Sequence, residues 1–519
     1  MRTKNSIYNM ITAFASQLIM ILLGFLSRTI FITTLGSEYM GINGLFTNIL
    51  SIISLAESGI GSSIIYSLYK PVAENDEEKI QILMNLYRKA FTIIGFIVFI
   101  IGLAIMPFLR KFMNGGTTVE NLYLIYFIFV FNSAITYLFS YKISFLNVCQ
   151  KKYVVTSITT GFSVAATIMK ILILYFTKNY ILYLIIDSII TITTQIIVSN
   201  KADKLYPYLK KKTNKKLDEE TKGSIIKNMK ALVVHNIGGR AVFGTDNLLI
   251  SSFVSVASVG LYNNYLMFIN LFRSLINTVF SAVEDAFGDL IAQEDNNKTY
   301  DVYKAANLCV FWLNSFFAIG MYICLEPAME IWLGKSYLMG QTVVAVLMIS
   351  FYVSGMRRAI NIVKSKAGIF HEDRFAPLFE AAVNLISSII LVKFFGISGV
   401  FLGTIISTLA VPFWIAPYLV YKKVFKKSPW LYFLEYIIYT IIGLATCILT
   451  VLVCNFIPND GLPAFLEKVI IAGIIPNIIY IVAFHRTKEF KYLWGVADTM
   501  VFSKIKGMIK KNTKIKIAR

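Results

Sequence analysis

The sequence is poor in the residues that build reactive centres. It has 5 cysteines and 3 histidines in 519 residues. Cys149, Cys309, Cys324, Cys447 and Cys454 lie in or beside apolar runs and form no CxxC, so they read as small buried hydrophobes rather than a disulfide framework or a thiolate site. His235, His371 and His485 form no HExxH. Charge is scarce too: 15% of residues are charged, against roughly 25% in an ordinary soluble domain. No DxD pair stands in a polar connection, and most connections are short. A membrane glycosyltransferase, polymerase or ligase, which needs a sizeable aqueous part for sugar chemistry, is therefore disfavoured.

Apolar sequence is abundant. Hydrophobic residues make up 56% of the chain, and runs of about 20, enough to cross a bilayer, recur from end to end. Fourteen spans are expected: 7–34, 40–69, 90–109, 121–148, 154–176, 180–199, 231–256, 260–292, 304–326, 339–363, 375–395, 397–420, 431–456 and 466–484. Arg2 and Lys4, an apolar run and Ala13-Phe14-Ala15 imitate a signal peptide. The run before that A-x-A is too short and continues past it, so an uncleaved first helix is expected.

With the N-terminus inside and the spans alternating, most of the 50 Lys and Arg fall in inside segments and only a handful in outside connections. That asymmetry places both termini in the cytoplasm. It also explains the +21 formal charge through topology and anionic lipid headgroups, without nucleic acid. The only long connection before the tail is KADKLYPYLKKKTNKKLDEETKG, 201–223, a solvated linker between six spans and eight.

Two stretches look alike. In RTIFITTLGSEYMGINGLFTNIL (28–50) and NLLISSFVSVASVGLYNNYLMFINL (247–271), an apolar helix end turns through a short polar segment into a second apolar helix bearing Asn. The turn glycines are Gly41 and Gly260. These stretches open two halves of equal orientation, so a parallel repeat is expected, with substrate bound between the halves.

Charge inside a span costs roughly 2.5–3.5 kcal/mol at the bilayer centre. Lys142, Lys170, Arg357, Arg358, Glu380 and Glu435 lie near span ends, where long side chains reach water, and read as anchors. Arg28, Glu57, Arg240, Asp246 and Arg273 lie deeper. On helical wheels Gln17, Gly24 and Arg28 share a face, as do Asn236, Arg240 and Asn247. His235 and Asp246 share the adjoining one. Asn263, Asn270, Arg273, Asn277 and Glu284 form the longest stripe; Asn43, Ser54, Glu57 and Gly61 gather on one side of the second span. Polar stripes can be glue between helices. With three deep arginines, a hydrated cavity that receives an anion is favoured, because the arginine fork fits phosphate oxygens.

The stretch LGSEYMGINGLFTNILSIISLAESGIGSSIIYSLYKPVAENDEEKIQILMNLYRKAF (35–91) resembles the start of bacterial polysaccharide-export flippases of the Wzx type, which share a superfamily with lipid II flippases and MATE drug exporters. VGLYNNYLMFINLFRSLINTVFSAVEDAFGDL (259–290) resembles the same family. The resemblance covers essentially the whole chain by span count. It implies an all-α polytopic membrane protein of about fourteen helices: a six-helix bundle over 1–200, a basic cytoplasmic linker over 201–230, a second six-helix bundle over 231–424, two further helices over 425–485 and a basic cytoplasmic tail over 486–519.

The implied activity is alternating-access translocation of an undecaprenyl-pyrophosphate-linked oligosaccharide across the bacterial cytoplasmic membrane, for capsule or O-antigen-like polymer. Lipid II flippases use cavity arginines on their first, second and eighth spans; Arg28 and Arg273 match the first and eighth, whereas the second carries Glu57, which argues against lipid II itself. The expected substrate-binding residues are Arg28, Arg240, Arg273, Gln17, Asn270 and Asn277. Glu57, Asp246 and His235 are the candidates for coupling to an H+ or Na+ gradient. No metal or cofactor is expected. Expected partners are the lipid-linked oligosaccharide, membrane lipids, and the polymerase and glycosyltransferases of the same assembly line. The alternative is a MATE-like cation-coupled exporter of small molecules, whose cavity should favour carboxylates; here three deep arginines face two deep acids.

Overall fold

The computed structural model describes residues 2–57, 59–210, 217–219, 221–223, 225–226, 229, 245–293, 295–369, 372–458 and 461–498. All regular structure among them is helical. In chain order the helices are α1 (Arg2–Leu35), α2 (Ser37–Ile53), α3 (Ile60–Glu74), α4 (Glu77–Ile105), α5 (Leu122–Val148), α6 (Lys152–Thr177), α7 (Tyr180–Leu205), α8 (Asp246–Phe253) and α9 (Val256–Gln293). They continue with α10 (Asn296–Leu333), α11 (Gln341–Met356), α12 (Arg358–Lys366), α13 (Ala376–Phe395), α14 (Ile397–Ala410), α15 (Pro412–Val420), α16 (Trp430–Cys454), α17 (Gly461–Phe484) and α18 (Lys488–Ala497). Among the described residues 10 helices are long and apolar enough to cross a membrane, or up to 11 if the bent pair 19–35 and 37–53 is one span. Most of the expected span 231–256 lies outside the described residues. The 38 residues of α10 reach about 57 Å, so this helix projects well beyond a hydrocarbon core of about 30 Å.

The chain forms two compact units, residues 1–263 with 377–400 and residues 264–376 with 401–519. In the first unit α1 passes into α2 through Gly36 alone, at φ 86°, a left-handed conformation that glycine adopts without penalty. The expected continuous span 40–69 is broken. Helix α2 ends at Ile53, a 3-10 turn covers Ser54–Glu57, and Gly59 at φ 106° precedes α3. The carbonyl of Gly59 accepts from both the backbone N–H and the hydroxyl of Ser63, which restarts the helix.

Helix starts follow capping chemistry. The side chains of Asp76, Asn179, Asp295 and Thr487 each accept from the N–H three residues on, at the starts of α4, α7, α10 and α18. Helices α4 and α5 pack through small residues on one face of α4. A Cβ on Gly95 would press on the Ala134 carbonyl and Tyr137, and one on Gly102 on Val130. Helices α1 and α6, α5 and α7, and α6 and α7 complete the packing, and α8 lies against α2.

The two glycines that the sequence aligns meet in this unit. A Cβ on Gly41 would collide with the backbone carbonyl of Val256, and one on Gly260 with that of Ser37. Next along α2, a Cβ on Gly44 would run into the amide of Asn263, while the Asn247 amide reaches the Gly44 carbonyl at 3.4 Å. Asn247 and Asn263, two members of the polar stripes, are therefore packing groups at this seam.

In the second unit α10 is central. Phe311 stacks on Tyr439 of α16 at 4.7 Å between ring centroids and meets Tyr480 of α17 at 5.1 Å. Trp312 donates from Nε1 to Asn477 of α17 at 2.8 Å. The short helix α18 folds back on α10, with Phe490 stacked on Trp312 and Glu489 paired to Lys304.

Candidate functional site

Arg28 lies seven residues before the end of α1, Lys170 seven before the end of α6, and Asp187 seven after the start of α7. At 1.5 Å per residue each is about 10 Å from its helix end. Aromatic contacts show that these ends coincide: Phe31 meets Tyr180 and Tyr183 at 5.6 and 5.5 Å, and Tyr39 of α2 meets Tyr180 at 5.2 Å. The three charged residues therefore share one layer of the first unit. Lys170 pairs with Asp187, Nζ to Oδ1, at 2.7 Å. Its ammonium stands 5.0 Å from the centre of the Tyr183 ring, the ring that Phe31 meets one helical turn on from Arg28.

Sequence periodicity marked Arg28 but assigned Lys170 to an anchoring role and passed over Asp187. The side chain of Lys170 is only 17% exposed and is ion-paired, so simple snorkelling does not describe it. Equal offsets from the ends of consecutive helices were the available signal. Gln17 is half-buried on α1, eleven residues from Arg28 and so about 16 Å along the axis.

Arg273, Asn270 and Asn277 stand on the part of α9 that belongs to the second unit. The Arg273 guanidinium lies over the Phe351 ring of α11 at 5.8 Å. Asn270 is exposed; Asn277 accepts from Arg358, whose guanidinium also covers Phe280 at 5.5 Å. Arg358, expected as an anchor, thus braces the stripe of α9. Lys142, expected as another, is bound to Asp203 at 2.8 Å.

Of the candidate acids, Asp246 is the first residue of α8 and is buried. Glu57 sits on the broken turn and lines a cavity of about 330 Å³ with Tyr87, Ser140 and Ser144 among its walls. The hydroxyl of Tyr87 bonds Ser144 at 3.1 Å. Arg240 and His235 lie outside the described residues.

No protein-family model matches the chain, and no curated protein matches it. Solved structures do. The lipid II flippase MurJ in its inward closed conformation is 15% identical with a TM-score of 0.68, over 92% of this chain and 99% of that one. The MATE transporter VcmN of Vibrio cholerae in its bent form is 13% identical with a TM-score of 0.53, over 82% and 98%. The chain has the fold of the MOP superfamily. A third MOP structure, a Pyrococcus furiosus transporter whose reversed pocket polarity suggests a different function, is 12% identical with a TM-score of 0.52, over 79% and 93%. With 10 or 11 helices among the described residues long and apolar enough to cross a membrane, the chain is a multi-pass membrane protein.

Proposed function

We propose that this protein is a flippase that carries undecaprenyl-pyrophosphate-linked oligosaccharide repeat units across the bacterial cytoplasmic membrane by alternating access, for capsule or O-antigen-like polysaccharide. The observation that carries the proposal is the charged layer of the first unit. Among the described residues, Arg28 and Lys170 place two cations at one depth among apolar helices, with the carboxylate of Asp187 beside them. A cationic interior suits a diphosphate and acidic sugars, and arginine suits them through its bidentate fork. The MOP fold, the likeness to a flippase of lipid II and the sequence resemblance to polysaccharide exporters point the same way. In this proposal fourteen spans form two six-helix bundles and two appended helices, both termini are cytoplasmic, and Arg273, Arg240, Gln17, Asn270 and Asn277 are further substrate-binding residues. Polymerase and glycosyltransferases act before and after it.

The test is deletion of the gene in a polymer-producing cell. Lipid-linked repeat units should accumulate on the inner leaflet while surface polymer disappears. A second reading, a MATE-like exporter coupled to H+ or Na+, draws on Glu57 in its polar cavity. It would instead leave polymer intact and change drug susceptibility.

A further inference from the structure

The ion pair of Lys170 with Asp187 has a chemistry of its own. A lysine ammonium carries three donors, and Asp187 Oδ1 takes one of them at 2.7 Å. The two partners are unequally covered: the lysine side chain is 17% exposed and the aspartate 37%. The aspartate is the more open partner of the two, and the ammonium stands over the Tyr183 ring. Phe31, one helical turn on from Arg28, meets that same Tyr183 ring at 5.5 Å. Around them stand Tyr180 on α7 and Tyr39 on α2, and α5 meets α7 here through Asn132 and Ser188. Among the described residues the layer thus brings together the cations Arg28 and Lys170 and the anion Asp187, an oxyanion of the same kind as a phosphate oxygen pair or a uronic carboxylate.

We propose that Lys170 is a second anion-binding residue beside Arg28, and that Asp187 is a built-in competitor occupying its ammonium until the oxyanion of the ligand displaces it. The inference rests on the reading of Arg28 as an anion-binding residue. It assigns a role to two residues that the sequence stripes do not include. Exchange of one oxyanion for another leaves the ammonium paired at every stage, so the cation is never left bare among apolar helices, where an unpaired charge is costly. Observed affinity is then a difference between the attraction of Lys170 for ligand and for Asp187, and removing the competitor must tighten binding.

The experiment is calorimetric titration of the purified full-length protein in nanodiscs with inorganic pyrophosphate at fixed ionic strength. Asp187→Asn is expected to bind about tenfold tighter than the unchanged protein, and Lys170→Gln about tenfold weaker. Lys170→Arg, which keeps the charge, should retain binding. Asp187→Ser repeats the expected gain should the Asn variant fail to fold. If both Asp187 variants are monodisperse and bind no tighter than the unchanged protein, the pair is structural and the inference is overturned. Arg28→Ala separates the two ideas. Unchanged binding in Arg28→Ala overturns the role of Arg28 while a gain in Asp187→Asn still supports the Lys170 subsite. Lost binding in Arg28→Ala with no gain in the Asp187 variants overturns the subsite alone. Absence of pyrophosphate binding in every variant overturns both.

Discussion

Gly41 and Gly260 make reciprocal contacts: each faces the backbone carbonyl of the residue four positions before the other, Val256 for Gly41 and Ser37 for Gly260. Such mutual contact is the mark of a two-fold relationship, in which each partner offers the same patch to the other. Here both patches belong to one chain.

Alanine at either glycine should therefore be poorly tolerated, because the obstacle is backbone rather than a side chain that can swing away. Gly41→Ala and Gly260→Ala are each expected to destabilise the purified protein by about 1–3 kcal/mol, read as a lowered thermal midpoint. Gly161→Ala is the control. A Cβ there meets nothing within 4 Å, and inside α6 the change should be neutral or stabilise by up to about 1 kcal/mol. Equal midpoints for all three variants would refute the close seam.

Arg28→Ala should abolish most surface polymer while protein abundance stays normal or rises, since a costly residue leaves the bilayer. Arg28→Lys should restore export only in part, because a point charge does not reproduce the bidentate fork. Abundance and polymer are measured in the same cells. A well-expressed Arg28→Ala protein with normal polymer would end the role assigned to Arg28.

The charge asymmetry makes a topological prediction. In a background freed of native cysteines, a membrane-impermeant thiol reagent applied to intact cells should label Glu120→Cys and miss Glu74→Cys. Both positions are exposed in the first unit. Labelling of Glu74→Cys would invert or break the proposed orientation.

The docking of α18 on α10 should depend on pH. Burial pushes the Glu489 carboxyl upward, but Lys304 outweighs it and holds the group below the usual carboxylate range. A depressed folded value means that the contribution of the pair is complete above the ordinary carboxylate pKa, about 4.3, and is lost as pH falls through the lower folded value. At neutral pH, Glu489→Gln should raise hydrogen exchange over 488–497. In the unchanged protein the same loosening should appear only upon acidification below about pH 4. Exchange that is identical in the variant and the unchanged protein would show that Phe490 on Trp312 holds the helix alone.

The helical class was legible because long apolar runs admit few alternatives in a membrane, and the kinship of Gly41 with Gly260 was legible because turn and helix repeat together. The break at Ser54–Gly59 was not, since hydropathy runs on through it and only the backbone of Gly59 reveals it. The stripe through Arg28 was visible because periodicity reports which residues share a face of one helix. It does not report what the neighbouring helix brings. Lys170 therefore looked like an anchor until Asp187 appeared across from it, and Arg358 until Asn277 did. Asn247 and Asn263 looked like cavity residues by the same one-helix logic, and the structure gives them to the seam beside Gly44.

The paired carbonyl contacts at Gly41 and Gly260 have a kinematic consequence. Two tight points define a line. The start of α9 can turn about that line against α2 with both contacts kept, whereas a slide or a rotation about any other direction must part at least one glycine from its carbonyl. The shortest side chains in the seam thus mark out an axle, and motion of residues 256–263 against α2 that preserves the seam is reduced to a single angle.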